Sequence, residues 1–207
     1  VDAFSVVRES LESNLIEINI PNNLPTKNVV LVTAHRRENL ETGIREIAEA
    51  IAELSESYPD LNFVIPMHPN PAVRAKMVPL LEGKSNVSLI EPLDYPEFIT
   101  VLNTSKLVLT DSGGVQEEAP ILGIPVLVMR ENTERPEGVL AGGVRLVGAD
   151  KADLVRHVSE LVESPEVLSA MAKAVNPYGD GKAAPRCVSL ISEYFGMGSR
   201  VSEFINV

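Results

Sequence analysis

The 207-residue chain has one cysteine, Cys187, and no tryptophan. A single cysteine excludes an intrachain disulfide and a cysteine-based zinc site. The apolar residues Val188, Leu190 and Ile191 follow it, which predicts a buried position for Cys187 on a helix. A chain without disulfides is typical of a reducing compartment, so we expect a cytoplasmic protein.

The chain also lacks a basic surplus and a long apolar segment. Its formal net charge is -11 at pH 7, which argues against nucleic acid and anionic membranes as partners, since both need clustered Lys and Arg. No apolar run approaches the ~18 residues of a membrane span, and we expect no signal peptide at residues 1–5. Any bound phosphate must therefore be held by a local group of residues.

Several motifs of enzyme chemistry are missing as well. The chain has no HExxH, CxxC or GxSxG motif, and the spacing of its three histidines does not match a metal-ligand set. We therefore expect neither a metal ion nor an organic cofactor. With 44% hydrophobic and 23% charged residues, the composition is that of a globular domain and excludes disordered and fibrous classes.

What the sequence does contain is a regular alternation of short apolar runs with amphipathic segments. We predict strands at residues 29–32, 63–65, 87–90, 107–109, 126–128 and 144–147. The segments between them have helical spacing, and further helices are predicted at 2–13 and 184–195. Alternation of strand and helix implies right-handed crossovers, and hence an α/β fold with a doubly wound parallel sheet.

In the common strand order 3-2-1-4-5-6, the topological switch lies between the first and fourth strands, and ligands bind outside their carboxyl ends. The connection after the first strand contains His35, Arg36 and Arg37, and the one after the fourth contains the turn Asp111-Ser112-Gly113-Gly114. We therefore expect these two connections, which are distant in sequence, to form one site.

The glycine turn lies between an apolar strand and a predicted helix, where free N–H groups and the helix dipole attract phosphate. Its spacing matches neither the GxGxxG fingerprint of dinucleotide-binding proteins nor a Walker loop. The expected ligand is an anionic, phosphate-bearing molecule of another kind. Alternatively, Gly113 and Gly114 serve only the close packing of the helix on the sheet.

Histidine and arginine side chains near this edge are candidates for ligand binding. His35 could act as an acid, a base or a phosphate ligand, or could be structural. One arginine guanidinium can bind two phosphate oxygens at once. Arg36 or Arg37 could instead form an ion pair with Glu38 or Glu41. His68 lies in the proline-rich loop after the second strand, at the same predicted edge.

Two more candidates follow the fourth and fifth strands. Glu118 could bind the hydroxyls of a ribose or merely satisfy the start of its helix, and Arg135 is the candidate ligand contact in segment 130–137. We assign Asp111 and Glu118 to the turn and its helix, which leaves no pair of carboxylates for proton abstraction. The residues themselves therefore indicate a nucleotide or sugar-phosphate site with one histidine.

These residues resemble the non-hydrolysing UDP-N-acetylglucosamine 2-epimerases, which interconvert UDP-GlcNAc and UDP-ManNAc. The matching blocks run in family order and are the segments 33–39, 67–71, 91–95, 110–119, 134–137 and 176–181. The resemblance implies the Rossmann-like C-terminal half of a glycosyltransferase-B type fold. It divides the chain into a connecting helix and linker (1–28), a nucleotide-sugar-binding domain (29–183), and a C-terminal helix and tail (184–207).

By the same resemblance, His35 is the catalytic residue beside the leaving UDP. The resemblance implies that the turn binds the diphosphate and that Glu118 binds the ribose. It also implies that Phe98 and the main chain near Leu93 bind the uracil. The complete set implied in substrate binding is Arg37, Leu93, Phe98, Ser112, Gly113, Gly114, Glu118 and Arg135. Arg36 and His68 resemble positions that, in bacterial members, contact a second UDP-GlcNAc acting as an activator.

The family reaction is anti elimination of UDP to a 2-acetamidoglucal, followed by re-addition on the opposite face. Its acidic catalytic residues belong to the half that is absent here. The resemblance thus implies a domain that binds UDP, UDP-GlcNAc and UDP-ManNAc without epimerising alone, and a homodimer for the full-length enzyme. A hydrolysing epimerase, which releases ManNAc and UDP, and a non-catalytic nucleotide-sugar-binding module remain alternatives.

Overall fold

The structure is a computed structural model that describes residues 1–13 and 15–205, and in these ranges six strands alternate with helices. The strands are β1 (Val29–Thr33), β2 (Asn62–Pro66), β3 (Val87–Ile90), β4 (Ser105–Thr110), β5 (Val126–Val128) and β6 (Val144–Leu146). The helices are α1 (Asp2–Glu12), α2 (Gly43–Ser57), α3 (Pro71–Leu81), α4 (Tyr95–Asn103), α5 (Gly113–Ile121), α6 (Pro136–Ala141), α7 (Lys151–Glu163), α8 (Pro165–Ala172) and α9 (Ala183–Tyr194). A short 3-10 helix spans Arg37–Asn39.

The six strands form one parallel sheet in the order β3-β2-β1-β4-β5-β6. The predicted doubly wound parallel sheet is confirmed, and its strand order is the common one on which the expected position of the site depends. β1 and β4 are the central pair, and their register sets Thr33 beside Thr110. The residues that follow these two threonines therefore leave the sheet side by side, at the edge where α/β proteins bind ligands.

β1 is buried on both faces, and its side chains divide between two hydrophobic clusters. Val30 and Val32 pack with side chains of α2, α3 and α7, whereas Val29 and Leu31 pack with side chains of α1, α4 and α5. The division follows from the two-residue period of a strand. An apolar strand without alternation is what a parallel sheet between two helical layers requires, and this packing holds the carboxyl end of β1 in place.

α1 packs against the rest of the domain. Phe4 is 1% exposed and lies in the same cluster as Ile99 of α4. The carboxylate of Asp2 accepts hydrogen bonds from the main-chain N–H groups of Ala183 (3.3 Å) and Ala184 (2.8 Å) at the start of α9. α1 therefore contacts both the helical layer of the sheet and the first turn of α9.

The prediction that Cys187 is buried is wrong. Cys187 is exposed, and α9 has no buried residue among those described. The apolar residues Val188, Leu190 and Ile191 are 63%, 48% and 56% exposed. Their spacing predicted the helix correctly. The spacing of apolar residues does not show, however, whether another helix or strand covers the apolar face.

α8 is a helix that the sequence analysis does not predict. It follows α7 after Ser164 alone, with Pro165 in its first turn. Because this short helix follows a longer one so directly, the spacing of its apolar residues does not stand out as a separate helical pattern in the sequence. No helix in residues 1–13 or 15–205 is long and apolar enough to cross a membrane.

Candidate functional site

The ends of β1 and β4 are joined by hydrogen bonds at the switch point. The N–H of Asp111 donates to the carbonyl of Thr33 (3.1 Å), and the hydroxyls of Thr33 and Thr110 are 2.6 Å apart. The N–H of Ser112 donates to the Thr110 hydroxyl at 2.9 Å. The two connections that the sequence analysis expects at one edge therefore do meet there.

Asp111 links these two connections. It is fully buried, and its Oδ2 accepts hydrogen bonds from the main-chain N–H groups of His35 (2.9 Å) and Arg36 (2.8 Å) and from the amide of Asn39 (3.2 Å). Three donors on one oxygen offset much of the cost of burying a carboxylate. Asp111, which the sequence by itself places in the turn alone, therefore also holds the connection after β1.

His35 and His68 form a stacked pair at this edge. Their ring centroids are 5.5 Å apart and their planes differ by 11°. Nδ1 of His68 accepts a hydrogen bond from the N–H of Asn70 (3.1 Å), and Nε of Arg74 donates to the carbonyl of His68 (3.3 Å). These bonds hold the proline-rich loop so that the second histidine stays against the first.

A groove of about 310 Å³ opens between the loops that follow β1, β2, β3 and β4. Its remaining walls are largely apolar, including Met67, Pro92 and Val115, and such a groove suits a flat ring. The predicted site residues that line it are His35, His68, Leu93, Phe98 and Ser112. The other predicted residues, which do not line this groove, are Arg36, Arg37, Gly113, Gly114, Glu118 and Arg135.

The start of α5 is open to a ligand. Its N-cap, Ser112, makes no side-chain capping bond, and the first N–H groups of a helix have no partner within the helix. A methyl group on Gly113 would lie 3.2 Å from Cζ and Nη1 of Arg135, whereas one on Gly114 would meet the Ser112 hydroxyl at 4.0 Å. The Arg135 guanidinium therefore lies against the turn, where a cation and free N–H groups suit a diphosphate.

A chain of hydrogen bonds holds Arg135 in this position. Its Nε donates to Glu117 (2.7 Å), and its N–H donates to the Thr133 hydroxyl (3.0 Å). Thr133 donates in turn to the amide oxygen of Gln116 (2.6 Å), and the Gln116 amide nitrogen donates to the carbonyl of Ser112 (3.2 Å). Gln116 and Thr133 are not predicted from the sequence, although a polar residue on the otherwise apolar face of α5 was a usable signal.

Glu118 bonds to the neighbouring helix α4 rather than to the start of its own helix. Its Oε1 accepts a 2.7 Å hydrogen bond from the hydroxyl of Tyr95. Burial raises the pKa of Glu118, and the bond from Tyr95 acts in the opposite direction. Burial and the adjacent carboxylate also raise the pKa of Tyr95. Tyr95 is not predicted from the sequence as a partner of Glu118.

Arg130 is a further residue that the sequence analysis overlooks. It is 8% exposed, pairs with Glu38 at 2.5 Å, and makes two hydrogen bonds to Glu134. These bonds lower the pKa of Glu134 to about 2. Glu38 thus pairs with Arg130 and not with either arginine beside it. Arg36 instead donates through Nε to the carbonyl of Asp111 (3.3 Å), and Arg37 is exposed.

A second depression of about 640 Å³ lies beside Arg130. Its carboxylates are Glu38, Glu46, Glu131 and Asp150, and this negative charge disfavours a phosphate ligand. Within residues 1–13 and 15–205, no group of three or more His, Cys, Asp or Glu side chains could hold a metal ion. The groove together with the glycine turn is therefore the candidate site.

Comparison with known proteins identifies the family. The sequence model of the family described as UDP-N-acetylglucosamine 2-epimerase matches residues 1–192. The UDP-N-acetylglucosamine 2-epimerase of Escherichia coli K12 is 44% identical over 196 residues, which are 92% of this chain and 52% of that protein.

Solved structures agree with the sequence match. The UDP-GlcNAc 2-epimerase of Neisseria meningitidis, bound to UDP-GlcNAc, is 44% identical with a TM-score of 0.86, over 93% of this chain and 53% of that one. The Methanocaldococcus jannaschii UDP-GlcNAc 2-epimerase, in complex with UDP-GlcNAc and UDP, is 34% identical with a TM-score of 0.69, over 91% and 48%.

The chain spans about half the length of the curated relatives it matches. Its sheet and flanking helices form a Rossmann-like half of a glycosyltransferase-B type fold. The resemblance recognised in the sequence is thereby confirmed. Because the family match covers residues 1–192 and the identity to curated members is near 44%, the chain belongs to the UDP-N-acetylglucosamine 2-epimerase family.

Proposed function

We propose that this chain is the C-terminal, UDP-binding domain of a non-hydrolysing UDP-N-acetylglucosamine 2-epimerase. The observation that carries the proposal is the meeting, at one edge of the sheet, of an open helix start at Gly113, the Arg135 guanidinium and the His35 imidazole. Two structures of family members with UDP-GlcNAc support a nucleotide sugar as the class of ligand.

In the proposed complex the diphosphate binds at Ser112, Gly113 and Gly114, because helix N–H groups and the helix dipole favour an anion there. Arg135, and Arg37 from the facing connection, supply positive charge. The uracil occupies the apolar groove against Phe98, near the main chain of Leu93. A flat ring in an apolar slot gains from stacking and from the loss of water.

Glu118 binds the ribose in this proposal. An ionised carboxylate has two acceptor oxygens and can receive hydrogen bonds from neighbouring hydroxyls. Its present bond from Tyr95 uses one of these oxygens, so Oε2 remains for a first ribose hydroxyl. Binding through both oxygens requires the Tyr95 hydroxyl to share Oε1 or to turn away.

The proposed reaction belongs to the full-length enzyme. The hydrogen on C2 leaves as a proton and the C1–O bond breaks with its electron pair going to UDP, which yields a 2-acetamidoglucal. UDP then returns to C1 and a proton to the opposite face of C2, giving UDP-ManNAc. His35 lies beside the leaving UDP, where an imidazole can exchange a proton or a hydrogen bond with a phosphate oxygen.

The carboxylates that remove the C2 proton belong, in this proposal, to the half of the enzyme that the chain lacks. The chain by itself is therefore expected to bind UDP without epimerising UDP-GlcNAc. We further propose that Arg36 and His68 contact a second, activating UDP-GlcNAc; the stacking of His68 on His35 would connect that ligand to the catalytic residue. The homodimer and the cytoplasmic location stay predictions.

Calorimetric titration of the chain with UDP, UDP-GlcNAc and GDP-mannose tests the binding proposal. UDP and UDP-GlcNAc should bind, and GDP-mannose should bind at least tenfold more weakly because the groove is proposed to be specific for the smaller uracil ring. Absence of UDP binding, or equal binding of all three, would contradict the assignment.

The reaction is tested by proton NMR in deuterated buffer. The full-length enzyme should replace the C2 hydrogen of UDP-GlcNAc with deuterium and form UDP-ManNAc, whereas the chain alone should do neither. Free ManNAc with stoichiometric UDP would identify the hydrolysing branch. Binding without any exchange in the full-length protein would favour a non-catalytic module.

A further inference from the structure

One oxygen of the buried Asp111 carboxylate has no hydrogen-bond partner among the described residues. Oδ2 accepts three hydrogen bonds, whereas Oδ1 accepts none. The residue is fully buried, and an unsatisfied carboxylate oxygen in such a position is costly. The ring nitrogen Nδ1 of His35 lies 3.2 Å from this oxygen, which is the distance of an ion pair but without hydrogen-bond alignment.

The position of His35 leaves little freedom for any other arrangement. Its main-chain N–H is bonded to Oδ2 of the same carboxylate, and its ring is stacked on His68. A small rotation of the ring within the stack would point an Nδ1–H bond at Oδ1. Hydrogen bonds of catalytic groups are often misaligned before substrate binds, so the present geometry is compatible with this bond.

We propose that Asp111 is a positioning residue that keeps a proton on Nδ1 of His35. Nε2 of the neutral ring is then unprotonated and is left to face the groove that His35 lines. When Nε2 takes up a proton, the carboxylate stabilises the imidazolium, as an orienting carboxylate does for histidine in other enzymes. The catalytic role of His35 rests on the proposed function, whereas the position of its ring proton on Nδ1 does not.

The same residue couples the two halves of the candidate site. Asp111 directly precedes Ser112 and Gly113, the turn proposed to hold the diphosphate. Its side chain holds the connection that carries His35. A displacement of the turn therefore moves the carboxylate that sets the protonation of the histidine, and the two parts of the site are aligned by one rigid group.

Nitrogen-15 NMR of the chain measures the tautomer directly. The chain has three histidines, and His35→Gln and His68→Gln variants assign their ring signals. At about pH 8, where an ordinary imidazole is neutral, His35 should carry its proton on Nδ1 alone. A neutral His35 ring with its proton on Nε2 and none on Nδ1 would overturn the proposal without any variant of Asp111.

Asp111→Asn provides the second measurement. An asparagine of the same shape can accept the two main-chain bonds through its oxygen, and its NH2 group then faces Nδ1 as a donor. The proton of His35 should therefore move to Nε2, while the signals of His68 and His157 stay unchanged. A His35 ring that keeps its Nδ1 proton in this variant would show that Asp111 does not set the tautomer.

Asn39→Ala is the matched control, because it removes a donor to Oδ2 without touching Oδ1. It should leave the His35 tautomer unchanged, so a switch in this variant would count against a specific role of Oδ1. In the full-length enzyme, Asp111→Asn should lower kcat by about 10² to 10⁴, as expected for a misplaced histidine proton. UDP affinity of the chain should change by less than about threefold.

The two proposals fail in different ways. A chain that does not bind UDP contradicts the proposed function and leaves the tautomer result as it stands. A chain that binds UDP normally but carries the His35 proton on Nε2 contradicts only the positioning role of Asp111.

Discussion

The hydroxyl of Tyr95 donates a 2.7 Å hydrogen bond to Glu118, the residue proposed to bind the ribose. Burial raises the pKa of Glu118, and this hydrogen bond lowers it. A hydrogen bond to the charged form of a carboxyl group favours that form. Tyr95 therefore helps to keep Glu118 ionised and able to accept hydrogen bonds from the sugar.

Tyr95→Phe should raise the pKa of Glu118 further above its ordinary value of 4.5, since the opposing hydrogen bond is lost while burial remains. A carboxyl with a raised folded-state pKa contributes stability that is full below 4.5 and is lost as the pH rises through the folded value. The variant should shift this loss to higher pH. Carbon-13 NMR titration of the Glu118 carboxyl measures the change.

Tyr58→Phe is the control for this experiment. Tyr58 donates a similar 2.6 Å hydrogen bond to Glu163, away from the candidate site. Its loss should leave the titration of Glu118 unchanged. An unaltered Glu118 in the Tyr95→Phe variant would refute the interpretation of the Tyr95 bond.

Gly113→Ala should lower the affinity for UDP by about tenfold, or ~1.4 kcal/mol. The added methyl group would lie 3.2 Å from Cζ and Nη1 of Arg135, so the guanidinium must move away from the turn. The fold itself should tolerate the change because alanine is a better helix former than glycine. Calorimetry with UDP and thermal unfolding measure the two effects separately.

Gly198→Ala is the control for Gly113→Ala. Its methyl group would be 3.4 Å from Cβ of Ser192, an ordinary contact outside the candidate site. UDP affinity should be that of the unaltered chain. If Gly113→Ala also retained full affinity, the turn would not be the diphosphate site.

Arg130→Gln should raise the pKa of Glu134 from about 2 toward 4.5, because the two hydrogen bonds from the guanidinium are lost. A carboxyl with a lowered pKa contributes stability that is present above 4.5 and is lost as the pH falls through about 2. The variant should reduce that pH dependence, while the main-chain hydrogen bond that also lowers the pKa of Glu134 remains. Titration of Glu134 between about pH 2 and 6 by carbon-13 NMR gives the value.

Arg186→Gln offers a comparison at a remote ion pair. Arg186 lowers the pKa of Asp180 to about 2 in the same manner. This variant should change the titration of Asp180 alone, and Arg130→Gln that of Glu134 alone. A shift of both carboxyls in either variant would indicate a general change in the fold.

Phe4→Ala should lower the free energy of unfolding by about 3 to 5 kcal/mol, the usual cost of emptying a buried phenylalanine site. Phe4 is 1% exposed and belongs to the cluster beneath α4. Val6→Ala, on the same helix but 64% exposed, should cost less than about 0.5 kcal/mol. Urea unfolding of both variants measures the difference, and equal small losses would mean that α1 is a mere linker.

Local patterns were sufficient for most of the fold. Apolar runs such as Val29 to Val32 identify buried strands because a parallel sheet between helices is covered on both faces. The spacing in α2 identifies one helix face because that face packs on the sheet. The same reasoning misassigned Cys187, since whether an apolar helix face is covered depends on another element.

Local sequence patterns predicted less of the candidate site than of the fold. His35 and the glycine turn were recognisable because they follow strands and contain residue types suited to phosphate. Leu93 and Phe98 entered only through family resemblance, since an apolar residue that lines a ligand groove looks like any other apolar residue. Gln116 and Thr133 remained unrecognised because their roles depend on each other.

The sequence by itself determined the strands, most of the helices, the glycine turn and the family, because each is written in short-range spacing or in contiguous motifs. Only the tertiary structure decided that Asp111 meets His35, Tyr95 meets Glu118 and Arg130 meets Glu38, partners separated by 76, 23 and 92 residues. Such contacts depend on strand register and helix packing across the whole domain, and no local pattern encodes them.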